Sequence, residues 1–150
     1  MLLFVWMYAL CTFSQEDLQP QVDALKQQIA TASTLQKLIL LDSLTNLVMD
    51  KPEYKYDSIA RVTIDKAVEL DSFQIAVQQA ADLIYYYGSV SESPEKGITV
   101  YEDYKHLIAK VDDLKLLCLI YLYIGDSYSY AGKLKESLLF YTKSENFALQ

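Results

Sequence analysis

Histidine and cysteine are scarce in this 150-residue chain: His106 stands alone, and the only cysteines are Cys11 and Cys118. No Cys-x-x-Cys and no histidine pair occurs, so the usual zinc spacings are excluded. There is no Gly-rich loop of the kind that cradles phosphate, and Asp126-Ser127-Tyr128 does not resemble a nucleophile elbow. Basic residues are also in deficit. Thirteen Lys and Arg face twenty Asp and Glu, a net charge of −7, which disfavours nucleic acid and anionic membrane surfaces as partners. Four glycines and three prolines interrupt the chain, and no stretch alternates apolar and polar residues as a half-buried strand would. The remaining acidic pairs, Glu102-Asp103 and Asp112-Asp113, are sequence neighbours, so on a helix they point to different faces. They suit solvated positions and helix caps better than paired acid and base. The sequence predicts no enzyme, no metal and no cofactor.

What the chain has is apolar helix. Residues 18–30 carry Leu18, Val22, Leu25 and Ile29 at helical spacing. Ser33-x-x-Gln36 reads as a capping box before a leucine-rich helix over 35–49, which Lys51-Pro52 ends. Asp57 and Asp71 are candidate starts for a third helix and a fourth (72–87), Ser93-Pro94 an N-cap and first-turn proline for a fifth, and Asp112 or Asp113 a cap for a sixth. Residues 116–125 (LLCLIYLYIG) lack any charge. A helix apolar on all sides is buried on several of them, and ten residues are too few to span a bilayer. Cys118 on this helix reads as a buried structural thiol.

The stretch 117–148 carries a ladder of small and aromatic residues. Tyr121, Ile124-Gly125, Tyr128, Gly132, Ser137, Tyr141 and Ser144 follow one another at spacings that place small side chains of one helix opposite large ones of the next. Gly125 inside a helix costs ~1 kcal/mol relative to alanine, which close packing would offset. Gly132 suits the bend. Forty residues upstream, Gly97-Ile98, Tyr101 and Tyr104 repeat the second half of the ladder, with Gly88 in the turn role and Ala80-Ala81 in place of Ile124-Gly125. Ala60, Ile64 and Ala67 repeat the small-large-small order once more.

This ladder resembles the tetratricopeptide repeat, a helix-turn-helix unit of 34 residues. Serines stand where that family usually has alanine, and Leu149 where it has its closing proline. The resemblance implies an all-α fold of antiparallel hairpins stacked as an α-solenoid. The hairpins fall at about 35–70, 72–109 and 112–148, with a helix over 17–31 as an N-terminal cap. It also implies a concave groove lined by the first helix of each hairpin. Carried over position by position, Ile75, Gln78, Asp82 and Tyr85 face it in one repeat, and Leu119, Leu122, Asp126 and Ser129 in the next. Packing against a neighbouring helix is the competing role for these residues. Asp82 and Asp126 make such a groove acidic, unlike family members that clamp a C-terminal carboxylate with lysine and asparagine. The implied partner is a protein or peptide.

Residues 1–14 (MLLFVWMYALCTFS) are uncharged and end in Thr12-Phe13-Ser14 before the polar Gln15-Glu16-Asp17. They resemble a secretory signal cleaved after Ser14, without the usual positive n-region. A buried N-terminal helix is the structural alternative, and Cys11 follows Leu10 where a lipidation site wants a small residue. The predicted mature unit, 15–150, is therefore exported, periplasmic or secreted, makes no direct membrane contact itself and continues beyond 150. Exported, Tyr-rich degenerate repeats of this kind are similar to the sensor ends of histidine kinases and transcriptional regulators from the Bacteroidetes. That similarity implies a non-catalytic binding module at the front of a larger signalling protein, tethered by later sequence. A stand-alone exported scaffold is the alternative. An open last repeat is expected to leave Leu139, Phe140 and Phe147 as an apolar face available for self-association.

Overall fold

The computed structural model describes residues 18–150, in which seven α-helices and no strand occur. The signal-like residues 1–14 and the three that follow lie outside the described residues. α1 (Gln19–Thr31) starts with Pro20 in its first turn and buries Val22. α2 (Thr34–Leu47) follows after two residues, and the Gln36 side-chain oxygen accepts from both the backbone N–H (3.3 Å) and the hydroxyl (2.9 Å) of Ser33. Pro52 opens a single 3-10 turn, Pro52–Tyr54, and Lys55 in a left-handed conformation (φ 56°) turns the chain into α3 (Tyr56–Glu69). α4 (Phe73–Tyr85) runs on into a π turn, Tyr86–Val90. α5 (Pro94–Ile108), α6 (Leu114–Tyr130) and α7 (Leu134–Ala148) complete the chain.

Each helix packs against the next, and α4 also packs against α6. The core runs along these contacts. Ala60, Ile64 and Ala67 of α3 and the small residues Ala76, Ala80 and Ala81 of α4 are all buried in one core cluster, and the two helices pack together. Small side chains let the backbones approach closely. Between α2 and α3 the buried hydroxyls of Thr45 and Thr63 hydrogen-bond to each other at 2.7 Å, and each lies within hydrogen-bond distance of a carbonyl one turn back, Leu41 and Ile59, so that one hydroxyl donates across the pair and the other to its carbonyl. The pair is satisfied without water, which is what lets two polar side chains sit in an apolar interface.

The α6–α7 pair follows the ladder closely. The Tyr141 ring lies over Gly125, flanked by buried Ser137 and Ser144, and the Ser144 hydroxyl donates to the Cys118 carbonyl at 2.9 Å. Gly132 makes the bend at φ 73°, where an L side chain is strained.

Several local expectations are corrected. Phe140 is not on an open face: it is 7% exposed and packs edge-on to Tyr101 (5.2 Å) and stacked on Tyr128 (5.2 Å) and Tyr121 (6.3 Å). Phe147 is half-buried and stacks on Tyr121 at 5.6 Å. The exposed apolar side chains of α7 are Leu134, Leu138 and Leu139. Gly88 is not a left-handed turn residue. It lies in the π turn, and a Cβ there would come 3.2 Å from the Ser127 hydroxyl, so its smallness serves packing. Glu92 (φ 49°) makes the turn instead. Asp57 lies in the first turn of α3 and accepts from the Tyr87 hydroxyl (3.2 Å), and Asp71 is a left-handed linker residue (φ 52°). Ser93 precedes Pro94 but its hydroxyl donates to the Ser91 carbonyl rather than capping α5. Asp113 does cap α6, accepting from the Leu116 N–H at 3.0 Å, and that hydrogen bond with one from Gln74 holds its carboxyl below the usual carboxylate range. Cys118 is half-buried.

Candidate functional site

Three helices, α2, α4 and α6, present the side chains on which a binding surface can be built. On α4, Ile75, Gln78, Asp82 and Tyr85 recur at helical spacing and share a face. Gln78 donates to both oxygens of Asp82 (3.0 and 3.1 Å). Asp82 is half-buried, and burial raises its pKa. The hydrogen bonds from Gln78 oppose that rise, and the charge of Asp42 on α2 adds to it. Tyr85 is 37% exposed and its ring lies 5.1 Å from that of Tyr123 on α6. Burial raises the Tyr123 pKa, followed by the charge of Asp82, the neighbouring Tyr85 and the charge of Asp126. An aromatic pair thus sits between two carboxylates of adjacent helices.

The α6 candidates divide into two groups. Leu122 is 38% exposed, and Leu119 is half-buried. Asp126 is half-buried and accepts from the Tyr141 hydroxyl at 2.7 Å, so one of its oxygens faces the partner helix α7. Ser129 is half-buried and also hydrogen-bonds the Tyr141 hydroxyl. Those two residues therefore hold the α6–α7 pair together. Of the packing residues, Gly97 and Tyr101 on α5 and Gly125, Ser137 and Ser144 on α6 and α7 are buried, while Tyr128 and Tyr141 are half-buried.

Five contributors were not singled out by sequence: Asp42, Asn46, Tyr56, Gln79 and Tyr123. Asp42 and Asn46 are one turn apart on α2, a polar pair within a leucine-rich helix, and that interruption was the available signal. Gln79, adjacent to Gln78, turns the other way and is fully buried. Its amide donates to Asp42 (2.7 Å) and to the Asn46 side-chain oxygen (3.0 Å), joining α4 to α2. Tyr56 on α3 is 1% exposed. Burial raises its pKa strongly, and the charge of Asp82 adds to the rise.

No group of three or more His, Cys, Asp or Glu among the described residues could hold a metal. His106 is exposed on α5. A separate open cleft of about 400 Å³ lies at the π turn between Gly88, Ser89, Glu92, Pro94 and Tyr130, with Glu92 its one charged group. No helix among the described residues is long and apolar enough to cross a membrane. No protein-family model matches the chain, and neither the curated proteins nor the solved structures give a significant match.

Proposed function

We propose that this chain is a non-catalytic helical-repeat module that binds a protein or peptide across the face formed by α2, α4 and α6. In this reading, α2–α3, α4–α5 and α6–α7 are three hairpins of tetratricopeptide type, stacked as a solenoid with α1 as cap, and α2, α4 and α6 are their first helices. The observation that carries it is the set of part-exposed polar and aromatic side chains on α4 and α6, namely Gln78, Asp82, the Tyr85–Tyr123 pair and exposed Leu122, with Asp42 and Asn46 of α2 tied to α4 through buried Gln79. Mixed aromatic and hydrogen-bonding surface is what recognition of an extended peptide uses. The packing of α4 on α6, in addition to each helix on its successor, supports the stacked arrangement.

An array of immobilised peptides probed with the purified protein tests this. Sequence-selective binding is expected. Asp82→Lys and Leu122→Glu on the face should abolish it, and Leu138→Glu on α7 should leave it intact. Absence of any selective peptide, or equal loss in all three variants, would overturn the proposal.

We further propose that the module is exported and forms the sensor end of a larger bacterial signalling protein. The leader-like residues 1–14 and the resemblance of the ladder to exported sensor repeats support this reading. Mass spectrometry of protein made in a bacterial host with its export machinery should find a mature chain beginning at Gln15 outside the cytoplasm. Retained Met1 would argue against export.

A further inference from the structure

The open cleft of about 400 Å³ at the π turn gathers groups that the rest of the fold leaves unengaged. It lies where α4 and α6 end. The π turn that prolongs α4 supplies Gly88 and Ser89, the connection into α5 supplies Glu92 and Pro94, and Tyr130, the last residue of α6, completes the lining. Glu92 is exposed, and its carboxylate makes no hydrogen bond or ion pair among the described residues. Tyr130 is 63% exposed, and its ring meets no other ring and no Lys or Arg among them. The Ser89 hydroxyl is exposed and equally unengaged. The ring has a support: a Cβ at Gly88 would come 4.0 Å from its Cδ2, so the bare Gly88 backbone lies beside it. Two backbone irregularities border the cleft, the π turn itself and Glu92 in a left-handed conformation (φ 49°). Both kinds are enriched at functional sites.

The lining narrows what the cleft can take. Glu92 is its one charged group, so an anion is repelled. A neutral apolar group would strip water from the carboxylate and return no hydrogen bond. Calcium or magnesium wants six or more oxygens, and a single carboxylate with one hydroxyl falls short of that. A cation with N–H donors and an aliphatic stem suits all three side chains. The carboxylate and the hydroxyl accept from the charged head, and the phenol ring receives the head over its face or the stem along it. Lys96 of α5 does not fill this place, since it lies over the Tyr87 ring at 5.6 Å and does not line the cleft.

We propose that the cleft between Ser89, Glu92 and Tyr130 is a binding site for one basic group, a lysine or arginine side chain. It rests on the peptide-binding reading above and specifies that ligand: the polypeptide lying along α4 and α6 carries a basic residue where those helices end. Ser89 follows Tyr85 by four residues, about one turn, which brings the cleft next to the Tyr85–Tyr123 pair.

The test follows the Gly88 backbone amide by NMR in the full chain, whose four glycines make that signal easy to resolve. The probes are N-acetyl-lysinamide and N-acetyl-argininamide. N-acetyl-norleucinamide, which keeps an aliphatic stem without the charge, and calcium chloride are the comparison arms. A saturating shift at Gly88 with either basic probe is expected, and none with norleucinamide. Glu92→Gln should weaken binding by about two- to fivefold, the size of an exposed ion pair. Tyr130→Ala should weaken it by a similar factor, about two- to fivefold, as an exposed cation–π contact does. Both residues are exposed, so the variants keep the core, and Leu138→Glu on α7 should bind as the parent does. The proposal is overturned if no saturating shift occurs, if norleucinamide or calcium reproduces it, or if both variants bind as tightly as the parent. The peptide array separates the two levels. Selective peptides with no preferred basic residue leave the binding module standing and remove this site. A Gly88 shift without any selective peptide keeps the basic-group site and removes the peptide reading.

Discussion

The Tyr141 ring lies so close over the Gly125 backbone that a Cβ added at Gly125 would come 2.6 Å from its Cδ1 and 2.7 Å from its Cε1. The ring cannot easily yield, because its hydroxyl is held by Asp126 at 2.7 Å and Ser137 and Ser144 flank it. Gly125→Ala therefore sets two terms against each other. Alanine favours the helix by ~1 kcal/mol, and overpacking costs about 1–3 kcal/mol. We expect net destabilisation in urea unfolding. In a Tyr141→Ala background the clash is gone, and the same glycine substitution should become neutral or stabilising. A double-mutant cycle reads the sign change directly. Additive effects would mean that the ring and the glycine do not meet.

Phe140 joins α5, α6 and α7, since it touches the rings of Tyr101, Tyr121 and Tyr128. Phe140→Ala should cost about 3–5 kcal/mol, the usual range for a buried aromatic. Its neighbour Leu139 is 56% exposed, and Leu139→Lys should change stability by no more than about 0.5 kcal/mol. Chemical denaturation of the two variants checks this, and similar midpoints would refute the assignment of Phe140 to the core.

These two adjacent residues show where the sequence was informative and where it was not. Helix limits were legible because local chemistry sets them: Pro52 and Pro94, the Ser33–Gln36 pair, the Asp113 cap and Gly132 each act within a few residues. The Gly125–Tyr141 contact was legible because it joins consecutive helices through one short turn. The side on which Phe140 packs was not, since it depends on rings from α5 and α6 converging on it. Gly88 was misjudged for a related reason. A glycine after three tyrosines looks like a stop, but here it makes room for a serine of α6 in a helical turn.

Ser127 is the point where α6 enters the α4–α5 connection. A Cβ at Gly97 would lie 2.7 Å from its hydroxyl and 3.2 Å from the Ile84 carbonyl. The hydroxyl donates to the Tyr123 carbonyl (3.1 Å) and is fully buried. Gly97→Ala should cost about 1–3 kcal/mol by overpacking. Adding Ser127→Ala removes the nearer obstacle but leaves the Ile84 backbone, which belongs to α4 and cannot move independently. Partial rescue is the expected result in thermal unfolding. Complete rescue would show that the backbone contact is unimportant, and no rescue would place the clash elsewhere.

Asp82 gives the fold a pH dependence of defined sign. Burial, helped by the charge of Asp42, holds its folded pKa above the ordinary carboxylate value, although Gln78 opposes the shift. The folded state then binds the proton more tightly than the unfolded chain. Stability from this group is fully present below the unfolded pKa of about 4 and is lost as pH rises through the folded pKa. Asp82→Asn removes the ionisation while the new side-chain oxygen still accepts from Gln78. At pH 7 the asparagine variant should therefore match or exceed the parent in urea midpoint, and the gap should close as pH falls toward about 4. A variant less stable than the parent at pH 7 would show that the carboxylate is paired in the folded protein.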